Sequence, residues 1–172
     1  MEELTITLDW SRVKSEVNKH FSFIGKRLKN KDGTTQFAKI TLSSEEKNIM
    51  QQYINAAAET FAAEMAPLVT YYDNGDFLVF KVKNTRWADN ENGLSVPFES
   101  NFMGYTVAYV ANAVLGMNYP ELAKKYSEDM VNHLNAAIRL VYIKKPPTAS
   151  GKKWTSMEGE MYDDKGKLFT GN

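Results

Sequence analysis

Residues 98–141 read FESNFMGYTVAYVANAVLGMNYPELAKKYSEDMVNHLNAAIRLV. Phe102, Tyr105, Tyr109, Val110, Ala113 and Val114 recur at helical spacing and so form the inward face of a helix over 98–115, with Gly116 as its C-cap. Pro120 then suits the first position of a second helix, on which Leu122, Tyr126, Met130, Leu134, Ala137 and Val141 keep the helical period until Pro146-Pro147. Only Met117-Asn118-Tyr119 joins the two, and helices with so short a connection lie antiparallel. This stretch predicts a mainly α fold, an antiparallel helical bundle.

Working back from it, Asp89-Asn90-Glu91-Asn92-Gly93 reads as a turn, and Phe77 to Val82 reads as a strand behind the Asn74-Gly75 turn of Tyr71 to Asp76. With an extended piece near Thr85 to Trp87, they predict a β-hairpin or small sheet inserted near 73–92. Upstream, Ser43 and Glu46 form an S-x-x-E capping box. Met50, Ile54, Ala57, Phe61, Met65 and Leu68 continue a helix to about Val69, and Pro67 kinks or ends its last turn. At the N-terminus, Leu4 to Leu8 alternates as a strand. Asp9 or Ser11 then caps a helix whose apolar side is Trp10, Val13, Val17, Phe21, Ile24 and Leu28. Asn30 to Gly33 is a turn signal, with an extended piece over 36–42 beyond it. The predicted organisation is a helical bundle domain over 1–147 and an extended C-terminal arm over 148–172. Trp154, Met157, Tyr162 and Phe169 would anchor that arm against its own domain or another chain.

The chain has 172 residues, 43 % of them apolar, and no cysteine. That is enough for one hydrophobic core, and it excludes disulfide scaffolds, zinc ribbons and thiol chemistry. No apolar run approaches the ~20 residues that cross a bilayer, and no presequence is readable at the N-terminus. The expectation is an intracellular protein, or one assembled inside a cell.

Charge is balanced at 21 against 21 but unevenly placed. Residues 12–31 carry Arg12, Lys14, Lys19, Lys26, Arg27, Lys29 and Lys31 against Glu16, a net +6, whereas 41–135 carry a net −6. Such polarity suits nucleic acid or an oppositely charged partner surface, or else a solvated helix face.

Little points to chemistry. The two histidines, His20 and His133, lack neighbours at metal-ligand spacing, and His133, one residue before the apolar Leu134, reads as a packing or surface residue. No G-x-S-x-G elbow, phosphate-binding glycine loop or EF-hand is present; Asp89, Glu91 and Gly93 have the wrong spacing for the last. No catalytic, cofactor or metal residue is assigned. An enzyme would need His20 or His133 to meet an Asp or Glu through the fold alone.

The arrangement of 40–147 resembles the head–tail connector or adaptor proteins of the tailed-phage neck. It shares their Ser-capped helix at Ser43-Ser44-Glu45-Glu46, their hairpin inserted between helices at about 73–92 and their C-terminal arm. The resemblance implies a structural virion protein rather than an enzyme. It implies a twelvefold ring of copies between portal and tail proteins, around the DNA channel and assembled in the host cytoplasm, with no cofactor and no membrane. Lys26, Arg27, Lys29 and Lys31 would then face the DNA lumen or a neighbouring protein, and contact with packaged DNA would be non-specific. The alternative is a small helical nucleic-acid-binding or regulatory module using the basic first helix; a pI near 6.7 and the lack of a helix-turn-helix stand against it.

Overall fold

The computed structural model describes residues 3–27, 44–83, 91–116, 119–142, 163–165 and 167–168. In chain order these form β1 (Glu3–Asp9), α1 (Trp10–Arg27), α2 (Ser44–Ala63), β2 (Val69–Asp73), β3 (Phe77–Lys83), α3 (Glu91–Leu115), α4 (Pro120–Tyr142), β4 (Asp163–Lys165) and β5 (Lys167–Leu168). The protein is mainly helical, with a small antiparallel sheet ordered β1-β3-β2 and a separate β4-β5 pair.

The sheet is built by alternation. Leu4, Ile6 and Leu8 stand opposite Val82, Phe80 and Leu78, and Val69 and Tyr71 stand opposite Val82 and Phe80. Period two therefore puts these side chains on one face, against the helices, while Thr5, Thr7, Thr70 and Tyr72 face outward. Asp9 caps α1 as expected, its Oδ1 accepting from the Ser11 amide at 2.7 Å. The predicted inner side of α1, from Trp10 to Ile24, is buried; Leu28 lies outside the described residues.

Three elements depart from expectation. α2 stops at Ala63, residues 64–68 form turns, and Val69 already belongs to β2, so the helical period read through Met65 and Leu68 overran a strand. The hairpin is therefore β2–β3, and Tyr71 to Asp73 is strand rather than turn. The turn proper is Asn74-Gly75-Asp76: Gly75 has φ +95°, and Asn74 Oδ1 accepts from the amides of Asp76 and Phe77. α3 opens at Glu91 and runs through Pro97, because burying Leu94 with Phe98 outweighs the hydrogen bond that proline cannot donate. Near its other end Ala113 and Val114 are exposed rather than inward, while Gly116 follows the last helical residue, Leu115, as expected, its amide donating to the Asn112 carbonyl at 2.9 Å. The capping box at Ser43 and Glu46, the turn at 30–33 and the extended pieces at 36–42 and 85–87 fall outside the residues or side chains described.

α3 is the central helix. It packs along α4, which runs antiparallel to it, and also against α2 and α1. Phe61 of α2 joins Phe80 of β3 to Phe98, Phe102 and Tyr105 of α3, with ring centroids 5.0 to 6.2 Å apart. A polar clamp ties β2 to the first two helices. Trp10 Nε1 donates to Asp73 Oδ1 at 2.9 Å, Lys14 lies over the Trp10 ring and donates to Gln51, and the Tyr71 hydroxyl donates to Asn55 at 2.8 Å. These bonds orient α1 so that its next turns meet α4 across α3.

Candidate functional site

The cleft between α1, α3 and α4 is about 330 Å³. α1 contributes Glu16 and His20 at i, i+4; α4 contributes Tyr126, Asp129 and His133 at i, i+3 and i+7; Met103, Gly104, Val107 and Ala108 of α3 form the floor. The fold thus gathers both histidines of the chain, two carboxylates and a phenol in one place. Sequence spacing alone assigned His133 to a packing or surface position and gave His20 no site role. The available clue was that each falls one helical repeat from an acid or a tyrosine on the same helix face.

His20 Nε2 and the Tyr126 hydroxyl are 2.9 Å apart, and their rings meet edge-on at 5.5 Å. The hydroxyl donates to the bare nitrogen or accepts from the protonated one. Burial lowers the His20 pKa below its usual 6.5, with Asp129 partly opposing that shift, and burial raises that of Tyr126, helped by Asp129. His133 is positioned separately. The Asn101 amide donates to the Pro97 carbonyl at 2.8 Å, which leaves Asn101 Oδ1 to accept from His133 Nδ1, 3.4 Å away. Gly104 makes room for the ring, because a β-carbon there would overlap the His133 imidazole.

A pH dependence follows from His20. Folding disfavours its charged form, so the stabilisation is full above its unfolded-state value of 6.5 and is lost as pH falls through that value toward the lower folded-state one. Thermal melts from about pH 7.5 to about pH 5.5 should therefore show a steeper loss for the wild-type chain than for His20→Gln. Parallel profiles would show that His20 does not titrate with folding.

The basic patch is only partly in view: Lys26 and Arg27 fall in the last turn of α1, while Lys29 and Lys31 lie outside the described residues. The arm anchors Trp154, Met157, Tyr162 and Phe169 lie outside them as well. The other bases of α1 are engaged, Arg12 with Glu99 at 3.0 Å, Lys19 with Glu16 at 2.6 Å and Lys14 with Gln51 at 3.1 Å. Among the described residues no group of three or more His, Cys, Asp or Glu is placed to hold a metal ion, and no helix is long and apolar enough to cross a membrane. The chain matches no protein-family profile, no curated protein and no solved structure.

Proposed function

We propose that this chain is a structural subunit of a tailed-phage neck, forming a ring between portal and tail proteins around the DNA channel. The observation that carries the proposal is architectural: an antiparallel helical body in which the β2–β3 hairpin is inserted between α2 and α3. The uneven charge along the chain supports it, because segments of opposite charge on one subunit favour directional contacts between copies, which give rings when the rotation closes. The nucleic-acid module is the weaker alternative, since Arg12, Lys14 and Lys19 of the basic helix already hold partners within the domain.

Mass photometry of the purified chain, and of native particles containing it, tests the proposal. Multimers or a stable complex with a portal-like partner are the expected result. Deleting residues 148–172 should weaken assembly while keeping the helical circular-dichroism signal, because all four described helices lie upstream of the deletion. A strict monomer without a partner in its native source would overturn the proposal.

A further inference from the structure

Asn-Gly occurs twice in the chain, at Asn74-Gly75 and Asn92-Gly93. Asparagine before glycine is chemically reactive, because the next amide nitrogen can attack the side-chain carbonyl carbon and no β-carbon shields that nitrogen. The two copies sit in different backbones. Asn92-Gly93 lies in the first turn of α3, where helical dihedrals oppose ring closure. Asn74-Gly75 lies at the exposed tip of the β2–β3 hairpin, with Gly75 at φ +95° and nothing within 4 Å of the place a β-carbon would take.

At the tip, the groups that ring closure needs are already on the reacting atoms. The Gly75 amide, the nucleophile, donates to Asp73 Oδ1 at 2.8 Å, so a carboxylate is in place to take its proton. Burial pushes the Asp73 carboxyl up, but hydrogen bonds from Trp10, Gly75 and Asn55 outweigh it and hold that carboxyl below its usual range, ionised at neutral pH. Asn74 Oδ1, the oxygen on the electrophilic carbon, accepts from the Phe77 amide at 2.8 Å and from the Asp76 amide at 3.2 Å. Two amides on one carbonyl oxygen polarise its carbon and stabilise the negative charge that attack develops there. Nucleophile, base and oxyanion donors thus all come from residues 73–77.

We propose that the hairpin tip is a self-modifying site, at which Asn74 cyclises onto the Gly75 amide and becomes aspartate and isoaspartate. Asp73 takes the Gly75 amide proton while the bond from Gly75 N to Asn74 Cγ forms and the carbonyl electron pair moves onto Oδ1. As that pair returns, the bond from Cγ to Nδ2 breaks, and Nδ2 leaves with the proton from Asp73 as ammonia. Solvent water then hydrolyses the succinimide. Cleavage at Cγ gives aspartate in an ordinary chain, and cleavage at the Asn74 main-chain carbonyl gives isoaspartate, whose main chain is a methylene longer. Either product puts a new negative charge between Asp73 and Asp76. The change falls where α1 is fastened to the sheet, since the Trp10 indole donates to Asp73 and the Trp10 amide donates to the Asp76 carbonyl at 3.1 Å.

The test is a time course on the full-length chain at neutral pH, read by peptide mapping that separates asparagine, succinimide, aspartate and isoaspartate. Digestion at mildly acidic pH keeps the handling from adding conversion. In the folded chain Asn74 should convert at least about tenfold faster than Asn92, and faster than Asn74 itself in chain unfolded by guanidinium chloride. Asp73→Asn keeps an oxygen acceptor for Trp10 but lacks the base, so conversion should slow about tenfold or more with the helical circular-dichroism signal intact. The comparison of folded with unfolded wild type needs no variant, so a misfolded Asp73→Asn chain cannot decide the outcome. Equal rates at Asn74 and Asn92, an Asn74 no faster folded than unfolded, or a folded Asp73→Asn chain converting at the wild-type rate overturns the site. The ring reading stands or falls separately.

Discussion

Phe61→Ala is expected to destabilise the domain by about 3–5 kcal/mol, the usual loss for a buried phenylalanine, and to lower Tm on the order of 10 °C for a chain of this size. Phe61 is 0 % exposed and touches four aromatic rings on two other elements, Phe80 on β3 and Phe98, Phe102 and Tyr105 on α3. Those rings are held by the sheet register and by the α3 backbone, so they cannot all move inward to fill the vacated space. The cavity term therefore adds to the lost transfer energy. Phe61→Leu keeps most of the volume and forfeits the edge-to-face contacts, each worth about 0.5–1.5 kcal/mol, so its loss should be distinctly smaller. Melting followed at 222 nm separates the two. A loss below ~1 kcal/mol for the alanine variant would show that α2 is not the joint between sheet and α3.

The elements legible in the sequence were those whose signal is local. Alternation over Leu4 to Leu8, the Asp9 cap, the inner face of α1 and Pro120 at the head of α4 each carry their own physical cause within a few residues, and the structure contains all of them. The errors occurred where tertiary contacts overrode a local cue. β2 was hidden because Met65 and Leu68 keep helical spacing with α2 although the helix ends at Ala63. The start of α3 was hidden because Asp89 to Gly93 read as a turn, whereas burial of Leu94 extends the helix to Glu91. The cleft was illegible for another reason. His20 and Tyr126 are 106 positions apart, and nothing in either helix alone announces that α1 and α4 will face each other over Gly104. Charge polarity was visible from the start, but which bases remain available depends on partners such as Glu99, 87 positions from Arg12.

Thr106→Val is expected to stabilise the domain by about 1–3 kcal/mol, the range for relieving a buried polar group that lacks a partner. Thr106 is 0 % exposed on the central helix, and its Oγ1 has no hydrogen-bond partner among the described residues. A helical threonine usually escapes this penalty by donating to the carbonyl four residues back. Thr60 does so on α2, reaching the Ala56 carbonyl at 2.8 Å, and Thr106 does not. Valine keeps the shape and the β-branch, so helix propensity and packing change little while the desolvation penalty disappears. Tm should rise by several degrees at that free energy, roughly 2–4 °C per kcal/mol, with the opposite sign to nearly every other core substitution. A fall instead would mean that the hydroxyl is satisfied in solution by an internal water, which valine would leave without its own partners. The two outcomes also separate two explanations for a polar atom at the centre of α3. If Thr106→Val is more stable and assembles like the wild type, the hydroxyl is a tolerated defect of packing. If it is more stable and assembles less well, the central helix gives up stability at Thr106 for a property of the assembled state.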